Sequence, residues 1–451
     1  MNTHGYQLGG FNIVVDGNSG SIHVCDELTF DIIALRVDND AERSLALFAE
    51  KHMDVPDADL QAALSEVDEL VTQGKLFSAP IDLTPPIEDT PVPAVKALCL
   101  NVSHACNLRC TYCFAGKTNG DGELMSFQTG KAALDFLIAN SADRRNLEVD
   151  FFGGEPLLNW SVVKQLVEYA RSVEGAANKN FRFTFTTNGI LLDDEVLEYA
   201  NREFQTVVLS LDGREPTHDR FRKQPDGGGS YSSIAGKIQR FVEKRVGEYY
   251  IRATYTRENL DFLKDLLHLR SLGFKNLSIE PVVCAEAEPY SIRESDLPVI
   301  FSQYEQLAEH LSENPDAFSF YHFMLDLESG PCLNKRIAGC GSGSEYMAVT
   351  PDGSLYPCHQ FVGDTGYIMG NVYSGVSRPD IAERFAHNNI LTKPECQPCW
   401  AKVWCAGGCA ANSYHSTGDP AGVYKIGCEL FKKRLECAIA IKVSELVKEQ
   451  N

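Results

Sequence analysis

Three observations predict an α/β fold built on parallel strands. From about residue 97 to 281, apolar runs of strand length alternate with amphipathic helical patterns, the mark of consecutive βα units. A C-x3-C-x2-C loop formed by Cys106, Cys110 and Cys113 follows the first of those runs, and nine of the fifteen cysteines lie in the last third, from Cys332 onward. Strands are expected at 97–102, 147–152, 181–187, 206–211, 249–255 and 276–280, with helices between them at 129–140, 161–173 and 260–272. In βα units the chemistry gathers at the C-terminal ends of the strands, which is where the cysteine loop falls.

Composition limits the function. With 451 residues, 44% of them hydrophobic, the chain has room for two or three domains with real cores. A formal net charge of −21 disfavours nucleic acid and anionic membrane as partners. No apolar run is long enough to span a bilayer and the N-terminus has no charged-then-apolar signal, so a cytoplasmic location is expected. In a reducing compartment fifteen cysteines point to metal ligands rather than bridges.

Three thiolates from one short loop fix three irons of a cubane and leave the fourth open to a small molecule, because a [4Fe–4S] cluster takes four. A zinc site or a disulfide pair is the plainer alternative, although zinc usually draws its ligands in pairs. The Cys106-Asn-Leu-Arg-Cys110-Thr-Tyr-Cys113 spacing resembles the signature of radical SAM enzymes. In that family the open iron chelates S-adenosylmethionine, whose reductive cleavage yields a radical that takes a hydrogen from substrate. The resemblance implies a partial (β/α)6 TIM-like barrel. Gly153-Gly154-Glu155-Pro156 then looks like the family's GGEP segment, which holds the cofactor's ammonium. Tyr112, Asn188, Ser210 and Asp212 are further cofactor contacts implied in this way, although Ser210 and Asp212 also fit ordinary capped turns. Glu280 and Arg257 are weaker candidates at the barrel mouth.

The C-terminal cysteines follow one rule: Cys340, a glycine at 353, Cys358, then Cys396, Cys399, Cys405 and Cys409, then Cys428. This resembles the seven-cysteine SPASM pattern, and a zinc ribbon is the alternative. By that resemblance Cys396, Cys399, Cys405 and Cys428 bind an outer auxiliary cluster, and Cys340, Cys358 and Cys409 an inner one. Either Cys332 or a substrate thiolate completes the inner set. Cys25, Cys99, Cys284 and Cys437 fit no ligand pattern and read as free core thiols.

Residues 1–75 differ: two short strands around Asp16-Gly-Asn-Ser-Gly20, then helical patterns. They resemble the winged-helix element that grips the leader of a ribosomal peptide as an added strand; a dimerising or packing domain is the alternative. The expected layout is a recognition domain over 1–75, a proline-rich linker over 76–93, the barrel over 94–315, and a SPASM domain with a C-terminal helix over 316–451. Three parts in this order resemble the maturases of six-cysteine (SCIFF) ranthipeptides. The matching stretches include Leu355-Tyr-Pro-Cys-His-Gln-Phe-Val362 and Cys405-Ala-Gly-Gly-Cys-Ala-Ala-Asn412. The resemblance implies three [4Fe–4S] clusters, S-adenosylmethionine, a leader-bearing cysteine-rich precursor peptide and a low-potential donor such as ferredoxin or flavodoxin. It implies intramolecular thioether formation, with formylglycine synthesis by a sulfatase-type maturase as one alternative and a non-catalytic iron–sulfur electron carrier as another. Anaerobically reconstituted protein should carry about twelve irons and about twelve sulfides per chain, four per cubane. Values near four, or stoichiometric zinc, would remove the auxiliary clusters from this reading.

Overall fold

The computed structural model describes residues 2–80, 94–117, 122–325 and 333–450. An N-terminal sheet holds β1 (Thr3–Leu8), β2 (Phe11–Asp16) and β3 (Ile22–Cys25) in that order, all antiparallel, followed by α1 (Glu27–Asp38), α2 (Ala41–Lys51) and α3 (Asp57–Thr72). Next come β4 (Ala97–Ser103), α4 (Phe127–Ala139), β5 (Asn146–Gly153), α5 (Trp160–Ala177), β6 (Asn180–Thr187), α6 (Asp194–Glu203), β7 (Thr206–Ser210), α7 (Glu215–Phe221) and α8 (Tyr231–Lys244). The parallel unit closes with β8 (Glu248–Tyr255), α9 (Phe262–Ser271), β9 (Asn276–Pro281), α10 (Leu297–Glu313) and β10 (Ser319–Phe320). The last stretch holds α11 (Leu333–Ala338), β11 (Tyr346–Val349), β12 (Ser354–Tyr356), β13 (Gly370–Asn371), β14 (Gly375–Val376), α12 (Pro379–Ala386), α13 (Lys402–Cys405), α14 (Ala410–Thr417) and α15 (Lys425–Gln450).

Strands β4 to β9 lie side by side in chain order and all parallel, so each βα unit steps one strand onward and the sheet curls as a part-barrel. All six expected strands are present. Their alternation explains why the interior stays open. On β5, Leu147, Val149 and Phe151 are wholly buried against the helices, while Glu148, Asp150 and Phe152 point the other way. β6 repeats this with Phe181, Phe183 and Phe185 outward-buried and Arg182, Thr184 and Thr186 on the inner face. A sheet with polar residues on its concave face keeps that side for ligand instead of core.

The helix-side core is aromatic. Phe151 stacks near Phe183 at 5.9 Å, and Phe204 meets Phe185 edge-on at 4.9 Å and Trp160 at 5.8 Å.

The sheet does not end at β4. β11 pairs parallel to it (Tyr346↔Ala97 through Val349↔Leu100), and β12 to β14 extend it antiparallel to give eleven strands. The Glu345 carbonyl receives the N–H of Lys96 at 2.7 Å, and the Glu345 carboxylate pairs with the Lys96 ammonium at 2.8 Å. Nothing in the sequence reading anticipated these strands.

The N-terminal sheet is sandwiched. One face meets α1 and α3 through Val14, Ile32, Ile33 and Val67, and the other meets α15 and residues 400–401 through Ile13 and Val15. Leu76 and Phe77 join the first of these cores and the Ser78 N–H and hydroxyl bind Asp16, so this unit runs past the expected boundary at residue 75. Residues 81–93, most of the expected linker, lie outside the described residues. No described helix is long and apolar enough to cross a membrane. Phe151→Ala removes a fully buried ring and should lower unfolding free energy by about 3–5 kcal/mol in a denaturant titration.

Candidate active site

The cysteine loop leaves the C-terminal end of β4 and is pinned from below by the turn after β5. Gly154 N–H bonds to the Ser103 carbonyl at 2.6 Å and Glu155 N–H to the Ala105 carbonyl at 2.9 Å. Only glycine permits that approach. A Cβ on Gly154 would stand 2.3 Å from the Ala105 oxygen, and one on Gly153, at φ +129°, 2.2 Å from the Ser103 oxygen.

Glu155 is wholly buried and accepts from Thr187 Oγ1 and the Asn188 N–H, both at 2.8 Å, and from the Leu157 N–H at 3.1 Å. Burial pushes its carboxyl up to about 7 despite those bonds. A cationic group placed beside it would offset the penalty of ionising it. Asn188 also reaches the loop, donating to Asn107 Oδ1 at 2.7 Å and to Cys106 Sγ at 3.8 Å. The three thiols stand close enough to act on one another: burial raises Cys106 to about 11 and Cys110 to about 12, and Cys113 pushes each the same way.

The far side of the loop is braced by the end of α7. Arg109 N–H bonds to the Lys223 carbonyl at 2.7 Å and Thr111 N–H to the Phe221 carbonyl at 2.9 Å. The Tyr112 hydroxyl donates to Asp212, whose carboxylate also takes Arg222 Nε at 2.9 Å, Arg222 Nη2 at 3.1 Å and the Thr254 N–H at 3.0 Å. Protein donors thus meet both oxygens of the Asp212 carboxylate, and it orients Tyr112 from behind. Ser210 closes β7, two residues before Asp212, and is buried. Arg257 turns toward α10, pairing with Asp296 at 2.9 Å.

Glu280, at the end of β9, has a different setting. His322 Nε2 approaches it at 3.3 Å and Arg434 Nη1 at 3.9 Å; burial works against ionisation, yet the neighbouring His322, Arg434 and Arg252 hold its carboxyl low. Arg434 can only donate, so the 3.2 Å contact makes His322 Nδ1 an acceptor and puts the ring proton on Nε2, facing Glu280.

The C-terminal thiols stand in two sets. Burial raises Cys405 to about 12, and Cys428, Cys399 and Cys396 add to it. Burial likewise raises Cys358, with Cys409 and Cys340 beside it. Among the described residues no three His, Cys, Asp or Glu converge at the spacing of a single metal ion. Cys396, Cys399, Cys405 and Cys428 instead line a cavity of about 1140 Å³, whose wall also holds Glu280 and Arg434. Between Cys405 and Cys409 the backbone runs left-handed three times in succession, at Ala406 (φ +56°), Gly407 (+85°) and Gly408 (+80°). Within it the Ala406 N–H donates to the Lys402 carbonyl at 2.9 Å and the Gly408 N–H to the Cys405 carbonyl at 3.4 Å, so the turn is closed on itself and fixes the spacing of the two cysteines. Cys332 lies outside the described residues. Cys99 and Cys437 are buried and Cys25 and Cys284 half-buried, all four free.

Sequence reasoning missed His218, Arg222, His322 and Arg434. Each sits on a helix or turn without a motif, and only the fold brings it to its partner. His218 is wholly buried; its Nδ1 accepts the Asp212 N–H at 3.2 Å and its Nε2 meets Ser230 Oγ at 3.0 Å, which fits a neutral ring. Burial lowers it to about 4 from 6.5. The unfolded chain therefore binds more protons between those values, and stability falls as pH drops from about 6.5 toward 4. The contribution is about 3 kcal/mol at full extent. His218→Gln should flatten that part of the stability–pH curve, measured by urea titration.

Comparison with known proteins agrees with this geometry. Residues 100–269 match the Radical SAM superfamily and residues 340–400 match SPASM, an iron–sulfur cluster-binding domain. A cysteine-type anaerobic sulfatase-maturating enzyme of Clostridium novyi (strain NT) is 26% identical over 353 residues, 74% of this chain and 92% of that protein. The solved structure of native anSMEcpe with bound AdoMet and Cp18Cys peptide superposes with a TM-score of 0.65 at 22% identity, covering 79% of this chain and 100% of that one. Streptococcus suis SuiB bound to precursor peptide SuiA gives 0.53 at 16% identity, covering 93% and 97%. The parallel sheet thus carries a Radical SAM domain and the extension beyond β4 a SPASM domain, the combination that fits a radical SAM/SPASM maturase.

Proposed function

We propose that this enzyme is a peptide maturase that forms intramolecular thioethers in a ribosomally made, cysteine-rich peptide of the six-cysteine type. Cys106, Cys110 and Cys113 hold the first [4Fe–4S] cluster, with Gly153, Gly154, Glu155, Asn188, Tyr112 and Ser210 around its S-adenosylmethionine and Asp212 behind Tyr112. Cys396, Cys399, Cys405 and Cys428 hold the outer auxiliary cluster. Cys340, Cys358 and Cys409 hold the inner one, completed by Cys332 or by a substrate thiolate. When bound, these groups supply the low-potential electron, the radical and a sink for the surplus electron. A donor such as ferredoxin or flavodoxin delivers the first electron.

The residues of the chain do the positioning. Buried Glu155 takes the cofactor's ammonium, which would stabilise its ionised form. The Gly153–Gly154 turn fixes the height of the thiol loop above the barrel, and Tyr112, held by Asp212, limits its sideways movement. The polar inner face of β5, β6 and β8 receives the acceptor side chain of the peptide. The N-terminal sheet, whose β1 and β3 edges pair with no further strand among the described residues, offers the leader a place as an added strand.

The observation that carries this reading is the coverage of the two structural likenesses. The SuiB fold spans 93% of this chain, whereas the anSMEcpe fold spans 79%, which leaves a fifth of the chain without a counterpart in it. A leader-bearing peptide gives that additional part a purpose. The higher TM-score favours formylglycine synthesis as the second reading.

Each thioether removes one C–H and one S–H and makes one C–S bond. One hydrogen leaves as an atom, the other as a proton accompanied by an electron. Peptide co-expressed with the enzyme should therefore lose two hydrogens per link and keep one thiol per link resistant to alkylation after reduction, as read by mass spectrometry. A product with every cysteine still alkylatable, or an aldehyde trapped by a hydrazine, would replace thioether formation with the formylglycine reading.

A further inference from the structure

The four thiols of the larger C-terminal set come from two segments, residues 396–405 and the first turn of α15; the N-terminal sheet touches the first of these directly and α15 farther along, at Glu436. Trp400, between Cys399 and Cys405, is 8% exposed and lies flat on the His4 ring, centroids 4.4 Å apart and planes within 8°. His4 Nε2 meets Glu436 Oε1 on α15 at 2.8 Å, and the Tyr6 hydroxyl donates to the Glu436 carbonyl at 3.0 Å. Gly17 packs directly on the Trp400 backbone. A Cβ there would stand 2.3 Å from the Trp400 oxygen and 2.6 Å from its Cα. Gly17 has no left-handed φ, so close approach alone requires glycine at this position. Asn2 Nδ2 donates to the Gln397 carbonyl at 3.2 Å, inside the same loop.

We infer that the N-terminal sheet is a structural wall of the four-thiol site, with Gly17 and His4 as positioning residues that hold the 396–405 loop against the helix bearing Cys428. The sheet is therefore part of the frame around these thiols as well as the recognition domain that the sequence suggests. Its edge strands can take a peptide while one face braces the 396–405 loop. The inference rests on the proposal that these thiols hold a cluster.

The test uses full-length Gly17→Val, His4→Ala and His4→Phe proteins, reconstituted anaerobically beside the unmodified chain. Iron release to a ferrous chelator is followed with EPR spectra. Gly17→Val and His4→Ala should release about four irons, one cubane, about tenfold faster, with one auxiliary signal lost and the first-cluster signal kept. His4→Phe keeps the stacked ring and should restore slow release. Unchanged release in Gly17→Val and His4→Ala, or equal loss from all clusters, would overturn the inference. If the unmodified chain carries no cluster on these thiols, the cluster proposal itself fails. The wall is then read from alkylation of Cys396 and Cys399, which Gly17→Val must accelerate about tenfold and His4→Phe must not.

Discussion

Backbone packed on backbone at the end of β5 is the contact on which the rest of the site depends. Gly153 and Gly154 let one strand end lie against the carbonyls of Ser103 and Ala105, and this sets where the cysteine loop begins. No side chain could adjust that height, because there is no space for one. The same turn delivers Glu155 into a closed space where three hydrogen bonds meet it and burial raises its carboxyl to about 7. An acid poised there is sensitive to any charge placed beside it.

From that point the support spreads sideways. Asn188 links the β6 end to the loop, and the α7 end braces it through Phe221 and Lys223. The Asp212–Arg222 pair behind Tyr112 is buried, and its geometry is bidentate, at 2.9 and 3.1 Å. Removing either partner would leave a charge stranded in the wall of the site, which is more damaging than never having had the pair. His218 completes the brace by receiving the Asp212 backbone proton, and it does so only as a neutral ring.

What the sequence made legible follows from the range of the interactions involved. The six parallel strands could be read because Leu147, Val149 and Phe151, or Phe181, Phe183 and Phe185, alternate within a few residues of one another. The thiol loops could be read because ligand spacing is local. β11 was not legible: it is four residues long and pairs with β4 some 250 positions upstream. The Glu280–His322–Arg434 cluster draws on a strand end, a short turn and the C-terminal helix, so no window along the chain contains it. Gly17 read as a turn glycine, and its real constraint, the Trp400 backbone, lies nearly four hundred residues away. Asp212 was legible as a strand-end acid, but the identity of its partners was not.

The pairing of β11 with β4 has a mechanical consequence. A single hydrogen-bonded sheet runs from the strand that launches the first thiol loop to the strand pair that leads into Cys358. A hinge between the two regions would have to break the β4–β11 ladder and the Lys96–Glu345 contacts together. The distance between the barrel mouth and the inner thiols is therefore a constant of the architecture, like the spacing of fixed electrodes. Any motion that brings atoms together across that gap is therefore left to the loops around it and to whatever binds between them.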